Sequence, residues 1–415
     1  MAGPRVLSQR AVNRALLARQ LLLDRPRLPD AGPERAAQVM GTIEHLVGLQ
    51  AQAPFPPYFG LNSRLDGFRP DDLAVLLTER SVVRIALMRG TIHLVSARDC
   101  LPLRRLVQPV IERGMRSAYG KQLAGVDPAA LAAAGRSLVE AEPMTFSQLG
   151  QALAARWPDH PPAALAQAVR AFVPLVQLPP RAVWGRAGQS VHTSAEHWLG
   201  HPGPGPPGPG QPGPGQPGPG QPGPAQSGTA HPGTGPGSPP ALAQLVTRYL
   251  GAFGPATVRD VQAWSGLTGL RAVLEQLRAA LVTFRDEQGA ELFDLPTAPR
   301  PGEDAPAPPR LVAEFDNLIL SHAERSRVIS AVATKKIYTA NGVVPATVLI
   351  DGFVAGMWRL DRIRDAGTVT IELFGRDGSP GSGAERDALA AEAGRVLAFG
   401  APGAAHHVRF APLKS

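Results

Sequence analysis

Hydrophobic residues recur at helical spacing through the first part of the chain. The pattern predicts a helix over residues 8–23, capped by Ser8, and a second over residues 34–49. A short third helix over residues 71–79 precedes alternating, strand-like residues over 83–95, which are interrupted at Arg89-Gly90. Three helices followed by a hairpin is the order of a winged helix.

The same order is predicted twice more. The second unit has helices over 145–156 and 162–173 and strands over 175–178 and 182–184. The third unit has three helices and two strands, over 241–253, 258–265 capped by Thr257, 270–279 capped by Thr268, 281–285 and 291–295. These units indicate an array of helix-turn-helix modules.

From Arg310 onward the pattern changes to strands. Residues 346–350 and 353–360 flank an Asp351-Gly352 hairpin turn, a further strand covers 368–374, and a final helix covers 384–399. The predicted fold class is therefore α+β, with winged-helix modules followed by a β-rich C-terminal domain.

One segment interrupts the array. Glycine and proline make up 28 of the 40 residues over 201–240, a composition that cannot bury a core and predicts an extended or disordered tether without chemistry. The predicted units are residues 1–125, 126–200, the tether 201–240, 241–300 and 301–415.

Positive charge is concentrated at one end of the sequence. The 415 residues include 42 basic and 34 acidic side chains, and residues 1–125 hold 18 basic against 10 acidic while the rest holds 24 of each. A local surplus of this kind indicates a polyanionic partner that contacts the first third of the chain. The alternative is an arginine-rich composition without a binding role, since 38 of the basic residues are arginine.

Composition also excludes several classes of protein. A single cysteine, Cys100, excludes a disulfide framework and a thiolate metal cluster, and favours a reducing compartment. No apolar run reaches the ~18 residues that span a bilayer, so we expect no membrane segment. The arginine-rich, acid-free stretch 10–23 resembles a transit peptide by itself, but its pattern continues into the fold and favours a first helix.

Gln50-Ala51-Gln52 stands directly before a proline-rich run. Proline disfavours helix in the residue before it, so the segment is predicted to be extended, and Gln50 and Gln52 then face the same side. Two carboxamides cannot act as general bases, but they can hold a water molecule by donating and accepting hydrogen bonds. The alternative is a polar loop that satisfies its own backbone.

Several motifs in order give a resemblance to a known family. They are Gly48-Leu49-Gln50-Ala51-Gln52-Ala53-Pro54, Met88-Arg89-Gly90-Thr91-Ile92-His93-Leu94-Val95-Ser96-Ala97-Arg98-Asp99, Glu314-Phe315-Asp316-Asn317-Leu318-Ile319-Leu320-Ser321-His322, Arg325-Ser326-Arg327 and residues 349–359. Together they resemble the AlkZ/YcaQ-type winged-helix DNA glycosylases, over nearly the whole chain outside the tether. The tether is a departure from the family and leaves the catalytic motif intact.

The resemblance implies a fold, an activity and a site. It implies a C-shaped array of tandem winged helices around a basic channel, and hydrolysis of the N-glycosidic bond of alkylated purines in double-stranded DNA, including unhooking of interstrand crosslinks. The family's catalytic motif falls on Gln50, Ala51 and Gln52. The two-glutamine version goes with self-resistance to azinomycin-like antibiotics, and the Gln/Asp version with broader crosslink repair. No cofactor and no metal are expected.

Other side chains are weaker candidates for contact with DNA. Arg89 and His93 lie on the predicted wing, where phosphate or minor-groove contact competes with packing in a strand. His322, Arg325 and Arg327 either touch DNA or form an ion-pair cluster with Asp316 and Glu324, and Trp358 either probes the duplex or belongs to the core.

Two other functions stay open at this point. One is a non-catalytic winged-helix regulator that shares the scaffold. The other is sequestration of a drug, for which the sequence shows no obvious aromatic cluster. None of the four lysines lies near the glutamines, so we expect a monofunctional glycosylase without a Schiff-base step. We also expect a cytoplasmic, nucleoid-associated monomer.

Overall fold

The computed structural model describes residues 5–200, 239–338, 342–374 and 382–411. Nearly all of the predicted tether, residues 201–238, lies outside these ranges. Helices and strands both occur throughout the described chain, and the predicted mixed α+β class is confirmed. Among the described residues, no helix combines the length and apolarity needed to cross a membrane.

Ten helices are formed by described residues before the tether. They are α1 Gln9–Arg19, α2 Pro33–His45, α3 Pro56–Asn62, α4 Pro70–Thr78, α5 Ala97–Leu106, α6 Gln108–Tyr119, α7 Pro128–Ala141, α8 Phe146–Ala154, α9 Pro162–Phe172 and α10 Ala195–Leu199. The hydroxyls of Ser8, Ser96 and Thr145 accept hydrogen bonds from backbone N–H groups in the first turns of α1, α5 and α8. Each cap satisfies a donor that the helix itself cannot, so these helices begin where their caps predict.

Six strands of the first 200 residues form one sheet. They are β1 Leu49–Gln50, β2 Val82–Ala86, β3 Ile92–Ser96, β4 Met144–Thr145, β5 Leu175–Gln177 and β6 Val191–Ser194, in the order β1-β3-β2-β5-β6-β4. Arg84 of β2 pairs with Gln177 of β5 in an antiparallel ladder. The sheet therefore crosses the predicted boundary at residue 125 and joins the first two sequence units through their backbones.

One strand of the second unit was placed wrongly. Residues 182–184 are turns, and the strand that follows β5 is β6. Ala182 has a positive φ of 66°, and its side chain is 2% exposed. The apolar residues of this segment are buried as packing groups and do not extend a ladder.

The third unit follows the predicted order. It comprises α11 Pro239–Phe253, α12 Val258–Ser265, α13 Leu270–Leu277, β7 Val282–Arg285 and β8 Glu291–Asp294, with β7 and β8 forming a two-stranded sheet. Thr257 caps α12 as predicted. The N-cap of α13 is Gly269 and not Thr268, because the chain enters this helix with a left-handed φ of 75° that favours glycine.

The C-terminal part is built on a five-stranded sheet. Its elements are β9 Arg310–Val312, α14 Asn317–Leu320, α15 Ala331–Ile337, β10 Thr347–Ile350, β11 Phe353–Ile363, β12 Ala366–Leu373, α16 Gly383–Gly400 and β13 Ala405–Ala411, with strand order β13-β12-β11-β10-β9. The chain from β12 to the parallel β13 runs through α16. A parallel neighbour requires such a crossover.

The predicted turn at Asp351-Gly352 joins this sheet to α1. Both residues have positive φ, 49° and 79°. A Cβ on Gly352 would lie 2.5 Å from Oδ1 of Asn13. Arg10 and Arg14 of α1 both pair with the Asp351 carboxylate. The first helix is thus fastened to a hairpin more than 300 residues away in sequence.

Candidate active site

The position of Gln50 follows from a close approach between two strands. Gly48 has a φ of 90°, and a Cβ there would lie 2.5 Å from Cγ1 of Val95 and 2.9 Å from the Leu94 carbonyl oxygen. Only glycine accepts both constraints. The following residues then pair with β3, so that Gln50 lies opposite His93 in the antiparallel ladder.

We call Gln50, Ala51 and Gln52 the diglutamine loop. Gln50 is 7% exposed at the end of β1, whereas Gln52 is exposed beyond it. Arg84 of β2 supports the backbone of the loop, since its Nη2 donates to the carbonyl oxygens of Ala51 at 2.6 Å and Ala53 at 3.4 Å. Arg84 was not singled out from the sequence, although a charged residue inside an otherwise apolar strand was the available signal.

The hydrogen bonds fix which way each amide points. Oε1 of Gln50 accepts from Nη2 of Arg89 at 2.7 Å, and Oε1 of Gln52 accepts from the backbone N–H of Ile92 at 2.8 Å. A guanidinium and a backbone N–H only donate, so the oxygens face them. Both amides are therefore anchored to the same turn, residues 89–92, and each keeps its NH₂ group and one oxygen lone pair for a ligand.

Arg89 connects the diglutamine loop to two later parts of the chain. Its Nη1 donates to the Trp264 carbonyl oxygen at 2.6 Å, and its Nη2 lies 3.5 Å from Oδ1 of Asn317. Asn317 in turn donates to the Gly48 carbonyl oxygen at 3.2 Å. Burial lowers the pKa of Arg89 to about 10, with the nearby positive charge of Arg325 acting in the same direction. The guanidinium stays cationic at neutral pH.

His93 is enclosed beside Gln50. Its side chain is fully buried, and Nδ1 donates to the Thr91 carbonyl oxygen at 3.0 Å. Nε2 has no hydrogen-bond partner among the described residues. Burial lowers the pKa of His93 to about 3, and the Arg89 charge adds to the effect. The imidazole is neutral at physiological pH, and its burial removes it from contact with a duplex in this conformation.

The predicted site residues near the third unit are mostly buried. His322 is 1% exposed and its Nε2 contacts the Phe253 carbonyl oxygen at 3.0 Å. Arg327 is 7% exposed and pairs with Asp260 at 3.2 Å. The carboxylate partner is thus Asp260, not the Asp316 or Glu324 considered from the sequence. Side chains this deeply buried attach the C-terminal part to the third unit and do not belong to the DNA interface that we propose.

Arg325 and Trp358 occupy different surroundings. Arg325 is partly exposed, with its guanidinium 4.5 Å from the centre of the Tyr338 ring, and it stays a candidate for contact with DNA. Trp358 is 7% exposed and donates from Nε1 to the Val312 carbonyl oxygen at 2.9 Å. The structure therefore places Trp358 in the core, with one face toward a cavity.

The folded chain contains an aromatic cluster that was not obvious in the sequence. Aromatic rings gather beside the diglutamine loop with centroid separations of 5.0–6.2 Å, and they belong to Phe55, Tyr58, Phe59, Trp184, Trp358 and Phe399. A cavity of about 270 Å³ is lined by residues that include Ala53, Phe55, Phe59, Trp358 and Glu314. The cluster was missed because its members come from distant parts of the sequence, and only the Phe55-Pro-Pro-Tyr-Phe spacing on α3 signalled it.

Together these features define a class of site: two anchored carboxamides and a half-buried arginine at the edge of a mixed α+β scaffold. No group of three metal-ligating side chains occurs among the described residues. A model of the AlkZ-like DNA glycosylases matches residues 43–399, so the chain belongs to that family and is a DNA glycosylase.

The whole-chain shape agrees with this family. DNA glycosylase AlkZ of Streptomyces sahachiroi superimposes with a TM-score of 0.72 over 98% of this chain and 100% of that chain, at 18% sequence identity. At this identity the likeness establishes the fold. No curated protein matches the sequence.

Proposed function

We propose that this glycosylase hydrolyses the N-glycosidic bond of N7-alkylated purines in double-stranded DNA, with Gln50 and Gln52 holding the attacking water. The two anchored amides of the diglutamine loop carry this proposal. Bulky adducts or interstrand crosslinks are the substrates in repair, or in self-resistance to a DNA-alkylating natural product.

The leaving group explains why amides suffice. A purine alkylated at N7 is cationic, so its glycosidic bond is already weak and needs no strong general acid. What remains is to position a water molecule near C1′ and to stabilise an oxocarbenium-like transition state. His93 is neutral and buried, which agrees with a reaction that requires no protonation by the enzyme.

The two glutamines are not equivalent. Oε1 of Gln50 accepts from a cationic guanidinium, which withdraws electron density, while Oε1 of Gln52 accepts from a neutral backbone N–H. The Gln52 oxygen is therefore the better acceptor for a proton of the attacking water. Gln50 contributes its amide N–H groups, which orient the water or the sugar.

The surroundings favour an open substrate site. We interpret the three helical units as winged-helix modules in a C-shaped array, whose channel admits a bulky adduct that a closed base-flipping pocket would reject. The aromatic cavity beside Ala53 offers an apolar surface next to the water site. We expect a monomer that acts in the nucleoid without a cofactor.

Lysine positions support a monofunctional reaction. Lys121 is exposed after α6, Lys335 and Lys336 lie on α15, and Lys414 lies outside the described residues. No hydrogen bond joins any of the first three to the diglutamine loop. Because no lysine among the described residues bonds to the proposed water site, we expect an intact abasic site as product.

The rate of base release tests this proposal directly. Wild type and the Gln50→Ala/Gln52→Ala variant would be compared under single-turnover conditions on duplexes that carry N7-methylguanine, a crosslink or no damage. We expect release from both damaged duplexes and a loss of at least about 10²-fold in the variant, the size of effect that follows from losing a positioned group. Equal release by the two proteins rules out the glutamine mechanism, and strand cleavage without heat or alkali rules out monofunctionality.

A further inference from the structure

A second cavity lies on the other side of Arg89. It has a volume of about 270 Å³ between α6, α9 and the Arg89-Gly90 turn. Its polar lining comes from Arg89, Gly90, Tyr119, Gln167 and Arg170. We call it the arginine cavity. Hydrogen bonds link its lining to the proposed catalytic centre, because Arg89 contacts Gln50 and Arg170 donates to the Gly90 carbonyl oxygen at 3.0 Å.

The arginine cavity contains two cations and no anion. Arg89 donates to carbonyl and amide oxygens, and Arg170 to a carbonyl oxygen, so neither forms an ion pair with a described carboxylate. Glu112, the acidic residue of α6, does not line the cavity; it accepts from Gln108 and pairs with Arg116. Buried charges are ordinarily paired, so two arginines that line one cavity without a carboxylate partner favour an anion.

The geometry points to a phosphate site: the arginine cavity binds a backbone phosphodiester of the DNA strand next to the damaged nucleotide. The inference rests on the proposed function, since it takes the diglutamine loop as the place of base release. Guanidiniums bind phosphate oxygens in pairs of hydrogen bonds, and the hydroxyl of Tyr119 and the amide of Gln167 supply further donors.

Charge balance at the reaction centre supports the same assignment. The oxocarbenium-like transition state carries positive charge at the sugar, and Arg89 places another positive charge 2.7 Å from Gln50. Two cations close together in a partly buried site repel each other strongly. A phosphodiester in the arginine cavity, which Arg89 lines, supplies negative charge only when DNA is bound, so the substrate itself completes the electrostatics of the site.

The first test is the salt dependence of binding to undamaged duplex, which requires no base release. Arg170→Gln removes one phosphate contact, and we expect the slope of log K against log salt to fall by about 1. Arg170→Lys keeps the charge and the slope. The matched control is Arg409→Gln, which removes an exposed charge on β13 and leaves the slope unchanged. An unchanged slope in a folded Arg170→Gln protein overturns the inference.

The second test locates the phosphate. Neutral methylphosphonates are placed one at a time around N7-methylguanine, and base release is measured for wild type and Arg170→Gln. We expect one position at which the methylphosphonate lowers the rate of base release by wild type about tenfold and does not lower the rate of Arg170→Gln further. If the effect of the methylphosphonate and the effect of Arg170→Gln multiply at every position, the assignment is wrong.

Separate outcomes distinguish this inference from the proposed function. If no protein releases base but Arg170→Gln still lowers the salt slope, the phosphate site stands and the glycosylase mechanism fails. If wild type releases base and the slope does not change, the mechanism stands and the phosphate site fails. If the cavity is instead a site for free phosphate, inorganic phosphate raises the Tm of wild type more than sulfate does, and Arg170→Gln leaves the salt slope of DNA binding unchanged. That result overturns the assignment to DNA.

Discussion

Arginines of the first unit differ in whether they have a carboxylate partner. Arg19 and Arg64 are buried, and each makes two hydrogen bonds of 2.7 and 2.8 Å to one carboxylate, Asp294 and Asp316. Arg89, beside the diglutamine loop, has no carboxylate partner. A cation neutralised within the protein is part of the fold, whereas we propose that Arg89, which lines a cavity and lacks a counter-charge, serves an anionic substrate.

The difference changes the meaning of the charge surplus in residues 1–125. Five arginines of that stretch pair with carboxylates beyond residue 290, and they are Arg10 and Arg14 with Asp351, Arg19 with Asp294, Arg25 with Glu392, and Arg64 with Asp316. Two acids of the same stretch, Asp66 and Asp99, pair in turn with Arg395 and Arg248, so three of the eight surplus charges are neutralised on folding. Arg89 is one of the arginines that remain without a carboxylate partner.

The largest expected effect concerns the paired arginines. Arg64→Met leaves Asp316 buried without its partner, and we expect the free energy of unfolding to fall by about 3–5 kcal/mol, as for other buried ion pairs that lose one member. Denaturant titration measures it. The control is Arg98→Ala, since Arg98 is 77% exposed in its pair with Glu44 and its loss costs at most ~1 kcal/mol. Similar values for the two variants contradict the distinction between buried and exposed pairs.

Local signals in the sequence predicted much of the fold. Ser8 and Thr257 cap the helices that they were expected to cap, because a cap depends on residues three positions apart. The Asp351-Gly352 turn was predictable for the same reason. The strand placed at 182–184 failed because short apolar runs do not distinguish a strand from a buried turn.

The site was predictable only in part. The diglutamine loop was found from its two amides and the prolines that follow, together with the family resemblance. Its partners were not predictable, because Trp264 and Asn317 reach Arg89 from more than 170 residues away. The aromatic cluster and the pairing of Arg327 with Asp260 depend on the same kind of long-range contact. Local periodicity carries no information about such pairs.

The next largest effect is expected at Arg89, the arginine without a counter-charge. Arg89→Gln removes the donor that orients Gln50, and we expect the single-turnover rate of base release to fall about 10²-fold, since misplacing a reacting group by 1 Å has an effect of this order. Arg89→Lys keeps the charge and should recover part of the rate. Stability should fall less than in Arg64→Met, because no buried carboxylate is left unpaired. An unchanged rate in Arg89→Gln removes Arg89 as a positioning residue.

The smallest expected effect is on the pH dependence of stability, and it comes from two buried histidines. His93 beside Gln50 has no acidic neighbour, and His322 lies near Asp260, Arg325 and Arg327; burial lowers the pKa of both, to about 3 for His93. Below pH ~6.5, the ordinary pKa of histidine, these side chains take up protons in the unfolded chain but not in the native protein. Their contribution to the free energy of unfolding is therefore fully present above that pH and is lost as the pH falls toward 3.

Each buried histidine should contribute about 1.4 kcal/mol per pH unit to this loss. His93→Asn retains a group that can donate to the Thr91 carbonyl oxygen but removes the titration, so we expect its stability between pH 6 and 5 to decline less steeply than that of wild type by this amount. Denaturant titrations at the two pH values measure the difference. Parallel declines would mean that His93 is protonated in the native state. An imidazolium beside Arg89 and Gln50 would then add a second positive charge where the reaction develops its own, and the charge balance assigned to the phosphate would no longer hold.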